Sequence, residues 1–462
     1  MGSPVELEGK KVLVVGLART GIGVVRFLAE QRALVMGTDI RSTDELQPYL
    51  PKIKGLKVRT ELGEHRIETF LSADLIIVSP GVPLSIEPIA AARKKGIEII
   101  SEIELACRFI RDPIIGVTGT NGKTTTTMLL GNVLKASGKK VFVGGNVGNP
   151  LIDCAGRGRW DYVVTEISSF QLEGIAQFRP YVALMLNITE DHLDRYHHYE
   201  EYIRAKFRVF ENQRGSDFAV LNADDVTITS MSDEIKAKKR YFSLTSSLKE
   251  GTFLDRDSLI YRDPGGTLEC FTLAKVSLKG IHNIENMLSA IAVAKICSCP
   301  KGVIQTALES FRGLPHRLEF VRELDGVSFY NDSKGTNVGS VVKSLGSFHE
   351  PIILIAGGKD KWGDYDSLKG IVKERVKRLI LIGEARRRMA NALGRSAPTT
   401  QADTLEEAVH QAFDESNRGD VVLLSPACSS FDMFKDYEER GNLFKEIVNQ
   451  LGTENPKGAR KP

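Results

Sequence analysis

The sequence predicts an α/β protein of three domains, each a largely parallel sheet layered with helices. Three observations carry that expectation. Short apolar runs recur along the chain: KVLVVG, LIIVSPG, PIIGVTG, YVVTEIS, YVALMLN, PIILIAGG, RLILIG and VVLLSPA. Runs this apolar suit strands buried on both faces of a sheet. Helix-like stretches separate them, as in βαβ units. A chain of 462 residues is also too long for one core. A helix-like stretch in SEIELACRFIRDP gives way to a new strand at Pro113, and a Gly-Leu-Pro turn in SFRGLPHRLE breaks a later helix. Divisions there give segments 1–103, 104–313 and 314–462: a Rossmann-like domain, a phosphate-loop domain and a second Rossmann-like domain.

Composition narrows the function. Apolar residues make up 42% and charged residues 26%, as in ordinary soluble proteins. The 62 basic and 59 acidic residues leave a net charge of +3, too near balance for a bulk nucleic-acid or membrane-surface binder. No apolar run reaches the ~18 residues of a membrane span. The opening, MGSPVELEGKKVLVVG, enters a strand without the long apolar core of a signal peptide, so a cytoplasmic location is expected. The six cysteines are scattered, and the lone pair Cys297-x-Cys299 lacks partner ligands, which favours free thiols over zinc. The polar tail GTENPKGARKP is expected to fray.

The first element is strand, glycine-rich turn and helix, VLVVGLARTGIGVVRFLAEQ, with Asp39 about 20 residues on. Ala18 stands where a dinucleotide fingerprint has its second glycine: Gly16-x-Ala18-x-x-Gly21. Amides at the helix start still favour a phosphate. An NAD site, a sugar-nucleotide site and a turn whose glycines only serve packing all fit this spacing.

The second is GVTGTNGKTTTT, residues 116–127. The common phosphate-loop rule, G-x-x-x-x-G-K-[ST], would put its first glycine at Val117; the glycines here are Gly116, Gly119 and Gly122. A strand precedes the loop and a helix follows, so its amides can cradle phosphate oxygens. Lys123 can neutralise the β- and γ-phosphates and the Thr124 hydroxyl can reach Mg²⁺. A dehydrogenase needs only the first loop and an ATPase only the second. An enzyme that spends ATP on a nucleotide-tagged substrate needs both.

Glu166 ends the strand of DYVVTEISSFQLE; Asp191 and His192 follow another in LNITEDHLDRY. Ligands gather at the carboxyl ends of parallel strands, which makes Glu166 and His192 candidates to meet metal-bound phosphates. The alternatives are a salt bridge for Glu166 and a hydrogen bond to a neighbouring acid for His192. His197 and His198 read as surface residues. Lys206, on the helix EEYIRAKFRVFE, reads from its spacing alone as a solvated charge.

In the last third, LPHRLEF offers His316 and Arg317 at a domain junction, where an arginine can swing onto nucleotide phosphates. FYNDSKGTN packs Asp332, Lys334, Thr336 and Asn337 after a strand; caps and turns use the same residue types. AGGKDKW presents Lys359, Asp360 and Lys361, and LLSPACSSFDMFKDYEERG presents Ser429, Ser430 and Phe431. Each follows a strand, where open α/β sheets bind ligands. No G-x-S-x-G appears, which argues against a serine nucleophile.

Taken together, GVTGTNGKTT, GGNVGNP, TEISSFQL, NITEDHLDRY, YIRAKFRVF, HNIENM, LPHRLE, NDSKGTN and LSPACSSFDMF, in that order, closely resemble the Mur ligases of peptidoglycan synthesis over nearly the whole chain. VVGLARTGIG, VSPGVP and DRYHHYEEY are most similar to the members that add D-glutamate. The resemblance implies an ATP-dependent amide ligase for cell-wall precursors. Its substrates would be UDP-N-acetylmuramoyl-L-alanine and D-glutamate, with no nucleic-acid or membrane partner and a monomeric state.

It also implies roles. Leu17, Ala18, Thr20, Asp39, Arg41, Ser79 and Gly81 would line the UDP site, so the altered fingerprint would hold UDP. Gly119, Asn121, Gly122, Lys123 and Thr124 would bind ATP, with Asn283 and Asn286 facing adenine. Thr124, Glu166 and His192 would meet metal. Lys206 would be a carbamate, made anionic by CO₂, holding a second Mg²⁺. Asn146 and Ser168 would touch the muramoyl end. Arg317, Asp332 and Lys334 would reach the nucleotide, and Thr336, Lys361, Ser430 and Phe431 would form the D-glutamate pocket. Tyr437 would take a place often held by phenylalanine. Another Mur ligase, a folylpolyglutamate synthase-like ligase and a nucleotide-sensing switch protein are the rival readings.

Overall fold

The computed structural model describes residues 6–189, 195–196, 198–276, 278, 280–360 and 363–452. Their strands form three sheets, one in each of the three expected segments. The first comprises β1 (Lys11–Val15), β2 (Leu34–Asp39), β3 (Val58–Leu62), β4 (Leu75–Val78) and β5 (Glu98–Ser101), in the order β3-β2-β1-β4-β5. All its pairings are parallel. The strand order reverses between β1 and β4, so the loops after them open a crevice at that point.

The second sheet contains β6 (Ile114–Thr118), β7 (Val141–Gly145), β8 (Tyr162–Glu166), β9 (Val182–Met185), β10 (Phe218–Asn222), β11 (Lys238–Ser243), β12 (Gly251–Asp255), β13 (Ser258–Arg262) and β14 (Leu268–Thr272). Its order is β14-β13-β12-β11-β10-β9-β6-β8-β7. It is parallel from β7 through β12. It then ends in an antiparallel meander that the sequence patterns did not predict. The meander is half-exposed, as β14 shows with Phe271 alone buried in LECFT.

The third sheet contains β15 (Glu319–Leu324), β16 (Val327–Asn331), β17 (Ile352–Gly357), β18 (Val376–Ile382), β19 (Thr399–Gln401) and β20 (Val421–Leu424), ordered β15-β16-β20-β17-β18-β19. Only β15 is antiparallel to its neighbour. Insertion of β20 between β16 and β17 brings the loops after these three strands side by side.

The apolar runs are buried on both faces, as expected. Ile352, Leu354 and Ala356 of β17 enter one core, while Ile353 and Ile355 enter the opposite one. Val12 and Val14 of β1 likewise part from Leu13 and Val15. The period of two thus sends the apolar residues of these strands alternately into one core or the other.

Two compact units result: Met1–Ala274 with Ile284–Leu308, and Lys275–Asn283 with Glu309–Pro462. The first unit holds the first two sheets. We propose 103/104 and 313/314 as domain divisions, since each segment then contains one complete sheet. Among the described residues no helix is long and apolar enough to cross a membrane.

Candidate active site

The first glycine loop follows β1. Gly16 has φ 90°, a left-handed conformation suited to glycine. A side chain at Gly21 would run into the Gly16 carbonyl oxygen, so helix Arg19–Glu30 can sit this close to the strand only with glycine there. Ala18 is the extended residue before that helix and provides no side-chain cap. The loop is pinned from two sides. Ser79 Oγ, after β4, donates to Gly16 O at 2.8 Å, and Leu17 N donates to Asp39 Oδ2 at 2.7 Å.

Asp39 is buried, and Arg41 grips it through Nε at 3.0 Å and Nη2 at 2.7 Å, with the Arg41 amide also at 3.0 Å. Burial pushes this carboxyl up, but the Arg41 and Leu17 hydrogen bonds outweigh it and leave it below the ordinary value. Asp39 therefore holds the turn and Arg41 in place, a role different from the ribose contact of a dinucleotide fingerprint. Thr20 is half-buried and Gly81 is exposed beside the pinned turn.

The phosphate loop follows β6. Gly122 is the residue before helix Lys123–Ala136 and has φ 83°. A side chain there would collide with Asn286 Oδ1, which also accepts from Thr126 Oγ at 3.2 Å. Asn286 is thereby seated on the loop, and Asn283 is buried three residues earlier in helix Ile281–Ile296. The Asn121 amide donates to Asn187 Oδ1 at 2.8 Å and the Thr120 amide to Asn187 O at 2.8 Å, fastening the loop to the segment after β9. Thr124 is half-buried in the first helical turn.

Lys123 Nζ bends back to Gly119 O at 2.9 Å and Thr120 O at 2.8 Å. Lys206, which the spacing read as a solvated charge, is 2% exposed. Its Nζ donates to the same Gly119 O at 2.7 Å and lies 4.7 Å from the Tyr202 ring centre. Tyr202 in turn has its hydroxyl 3.0 Å from Thr120 Oγ.

Glu166 ends β8 beside this loop and is 2% exposed. Its Oε1 accepts from Asn146 Nδ2 at 2.9 Å, while its buried Oε2 has no hydrogen-bond partner. Such an oxygen is costly unless a cation or donor meets it. Of the metal candidates, Glu166 thus suits a hard cation. Asn146 extends the arrangement toward the first loop, since its carbonyl accepts from Arg19 Nη2 at 3.4 Å. Ser168 heads helix Ser169–Glu173 in a reciprocal cap with Gln171. His192, Asp191, His197 and Lys361 lie outside the described residues.

In the second unit, the loops after β16, β17 and β20 meet. Asp332 is buried and accepts from Ser344 Oγ at 2.7 Å and Ser425 Oγ at 2.8 Å. Burial pushes its carboxyl up to about 6, against those hydrogen bonds. Lys334 Nζ stands 3.7 Å from the Tyr437 ring centre. The Thr336 amide turns back to Lys334 O at 2.8 Å. Ser430 is buried, whereas Phe431 is 70% exposed. Tyr437 is therefore the aromatic residue set against Lys334. Arg317 is exposed. The loop after β17 is braced at Asp360 by Arg388 at 2.8 and 3.0 Å and by the Tyr365 hydroxyl at 3.0 Å.

One residue of this site escaped the sequence reading. Arg440 is fully buried. It donates to Ser333 Oγ and Ser333 O, both at 2.9 Å, and to Cys428 O and Ser429 O, both at 3.3 Å. It thus ties the loop of Asp332 and Lys334 to the loop of Ser430. Burial lowers its guanidinium to about 10. A signal was present: Arg440, Gly441, Phe444, Ile447 and Val448 fall on one face of helix Tyr437–Gln450, so the arginine sits on an apolar stripe.

Comparison with known proteins fits this layout. Residues 10–101 match the Mur ligase MurD-like N-terminal domain, residues 117–294 the Mur ligase middle domain, and residues 316–428 the Mur ligase glutamate ligase domain. The UDP-N-acetylmuramoylalanine--D-glutamate ligase of Geotalea uraniireducens (strain Rf4) is 55% identical over 447 residues, covering 96% of this chain and 98% of that protein. The like-named ligase of Geobacter metallireducens is 52% identical, covering 97% and 99%. Among solved structures, UDP-N-acetylmuramate-alanine ligase MurC from Thermotoga maritima shares the fold with a TM-score of 0.60 at 20% identity, over 96% of this chain and 99% of that one. MurF ligase from Thermotoga maritima in complex with ADP does so with a TM-score of 0.59 at 17% identity, over 97% of both chains.

Proposed function

The chain belongs to the Mur ligase family, and from that premise we propose how its residues divide the work. It is an ATP-dependent ligase that adds D-glutamate to UDP-N-acetylmuramoyl-L-alanine in peptidoglycan synthesis. The folylpolyglutamate synthase-like alternative is not favoured.

The observation that carries the assignment of residues is the joining of two loops within one compact unit. The turn at residues 16–21 reaches the end of β8 through Arg19 and Asn146, which also holds Glu166, and β8 pairs with β6, the strand that leads into the phosphate loop at 119–124. On this reading the first loop binds UDP through Leu17, Ala18, Thr20, Ser79 and Gly81, with Asp39 and Arg41 holding its shape. Gly119, Asn121, Gly122 and Lys123 cradle the triphosphate, and Asn283 and Asn286 face the base. Asn146 and Ser168 take the muramoyl end. Thr336, Lys361, Ser430 and Phe431 form the D-glutamate pocket beside Tyr437, while Arg317, Asp332 and Lys334 reach the nucleotide.

A carboxylate is a poor electrophile because resonance spreads its charge. The γ-phosphoryl group therefore passes from ATP to the alanine carboxylate, giving an acyl phosphate and ADP. The amine of D-glutamate attacks that carbonyl, and phosphate leaves as the amide forms. Phosphoryl transfer asks the protein mainly for alignment and neutralised charge. Lys123 supplies a cation from the loop itself. Moving it from Gly119 O and Thr120 O onto a terminal phosphate exchanges carbonyl acceptors for an anion.

Mg²⁺ bound at Glu166, with Thr124 and His192, would add positive charge on the phosphates. Lys206 would hold a second ion as a carbamate. Two ammonium groups now converge on Gly119 O. As a carbamate, Lys206 would carry negative charge beside the Lys123 cation. The enzyme works as a monomer in the cytoplasm on this account. Phosphate release tests the reading: it should require UDP-N-acetylmuramoyl-L-alanine and D-glutamate together. Release with glycine or meso-diaminopimelate in place of D-glutamate would overturn it.

A further inference from the structure

Arg195 occupies a junction that none of the roles above includes. Its Nη1 donates to the carbonyl oxygen of Pro80 at 2.9 Å, and its Nη2 donates to Glu173 Oε2 at 2.8 Å. Its guanidinium carbon lies 4.0 Å from the centre of the Phe170 ring. The opposite oxygen of Glu173 accepts from the Tyr196 hydroxyl at 2.6 Å. The pair is largely buried, with side-chain exposures of 15% and 19%. A planar guanidinium suits this place, because it can send two N–H groups to separate acceptors while its face rests on a ring.

The three groups it joins belong to different parts of the substrate crevice. Pro80 lies between Ser79 and Gly81, in the loop whose Ser79 pins Gly16. Phe170 and Glu173 belong to helix Ser169–Glu173, headed by Ser168. That helix is fixed at its other end, where Arg208 donates to the carbonyls of Leu172 and Glu173 at 2.8 and 2.6 Å. The loop at Pro80 is thus tied to that helix through the Arg195 side chain.

We infer that Arg195 is a positioning residue for the nucleotide end of the substrate, holding the 79–81 loop closed against residues 16–21. This rests on the UDP assignment above. Loss of the guanidinium unties the loop from helix Ser169–Glu173, leaving it held at Ser79, and weakens grip on the UDP-bearing substrate, while the phosphate loop and the D-glutamate loops keep their own anchors.

The test compares wild type with Arg195→Met, which keeps the apolar stem on Phe170, and with Arg195→Lys and Glu173→Gln. Expected for Arg195→Met is a KM for UDP-N-acetylmuramoyl-L-alanine raised about tenfold or more, with kcat within threefold and the KM values for ATP and D-glutamate within twofold. Arg195→Lys should fail to restore the KM, since an ammonium lacks the planar fork that sends separate N–H groups to Pro80 O and Glu173 Oε2 while its face rests on Phe170. Glu173→Gln should shift the same KM in the same direction, less far, and stands as the test should Arg195→Met not fold. An unchanged KM, or a uniform loss in kcat and all three KM values, overturns the inference. Wild-type enzyme that releases no phosphate with both substrates instead overturns the ligase reading, and this inference with it.

Discussion

The ammonium groups of Lys123 and Lys206 converge on one acceptor, the carbonyl oxygen of Gly119, at 2.9 and 2.7 Å. One lysine belongs to the phosphate loop and the other to helix Tyr199–Phe207, 83 positions later by number. A carbamate on Lys206 would turn one of these two cations into an anion.

The carbamate proposal makes that change. Lys206→Ala should lower phosphate release at least ~10²-fold, because a metal-holding anion is lost. Excess bicarbonate should not restore it. Lys206→Arg, which keeps charge without an amine that CO₂ can modify, should be equally inactive. Full activity in either variant removes the carbamate from the account.

Gly122→Ala tests the loop geometry. The new methyl group must enter a left-handed residue and meet Asn286 Oδ1. Strain of about 1–3 kcal/mol is expected. The KM for ATP should rise by roughly tenfold and that for D-glutamate should stay put. Kinetics with each substrate varied in turn checks this.

Arg440→Met removes the clamp between the two amino-acid loops. Buried donors and acceptors lose their partners, so a stability loss of about 2–4 kcal/mol is expected. In enzyme that remains folded, the KM for D-glutamate should rise more than that for the UDP substrate. Thermal melting and kinetics at low temperature separate the two effects.

Glu102 gives a pH signature. It is fully buried in the first turn of helix Glu102–Cys107, with Ile152 N on Oε1 at 2.7 Å and no partner on Oε2. Burial raises it from 4.5 to about 7. The folded protein therefore holds more protons than the unfolded chain between those values, and this group's contribution is lost as pH rises through them. Glu102→Gln should raise Tm at pH 8, by the equivalent of up to about 3 kcal/mol, and the gain should vanish near pH 4.5. A constant gain at all pH values would contradict the assignment.

Much of this was legible in the chain. Strands such as β6 and β17 announce themselves because every residue is buried, and no polar face interrupts the apolar run. Gly16, Gly21, Gly122 and Lys123 could be found because close backbone approach and phosphate binding tolerate few other residues. The meander β12–β14 was missed because one face is exposed and its residues resemble loop residues. Lys206 was misread as solvated, since burial of a helix face next to Gly119 depends on contacts 87 residues apart. Arg195 carries no local signal at all. Its partners, Pro80 and Glu173, meet it only in the folded chain.

The most direct test is a crystal structure with UDP-N-acetylmuramoyl-L-alanine and a non-hydrolysable ATP analogue bound together. The uridine should lie between residues 16–21 and 79–81, with Lys123 Nζ moved from Gly119 O to the terminal phosphate. Uridine bound elsewhere, or Lys123 still resting on Gly119 and Thr120 beside a bound triphosphate, would contradict the account.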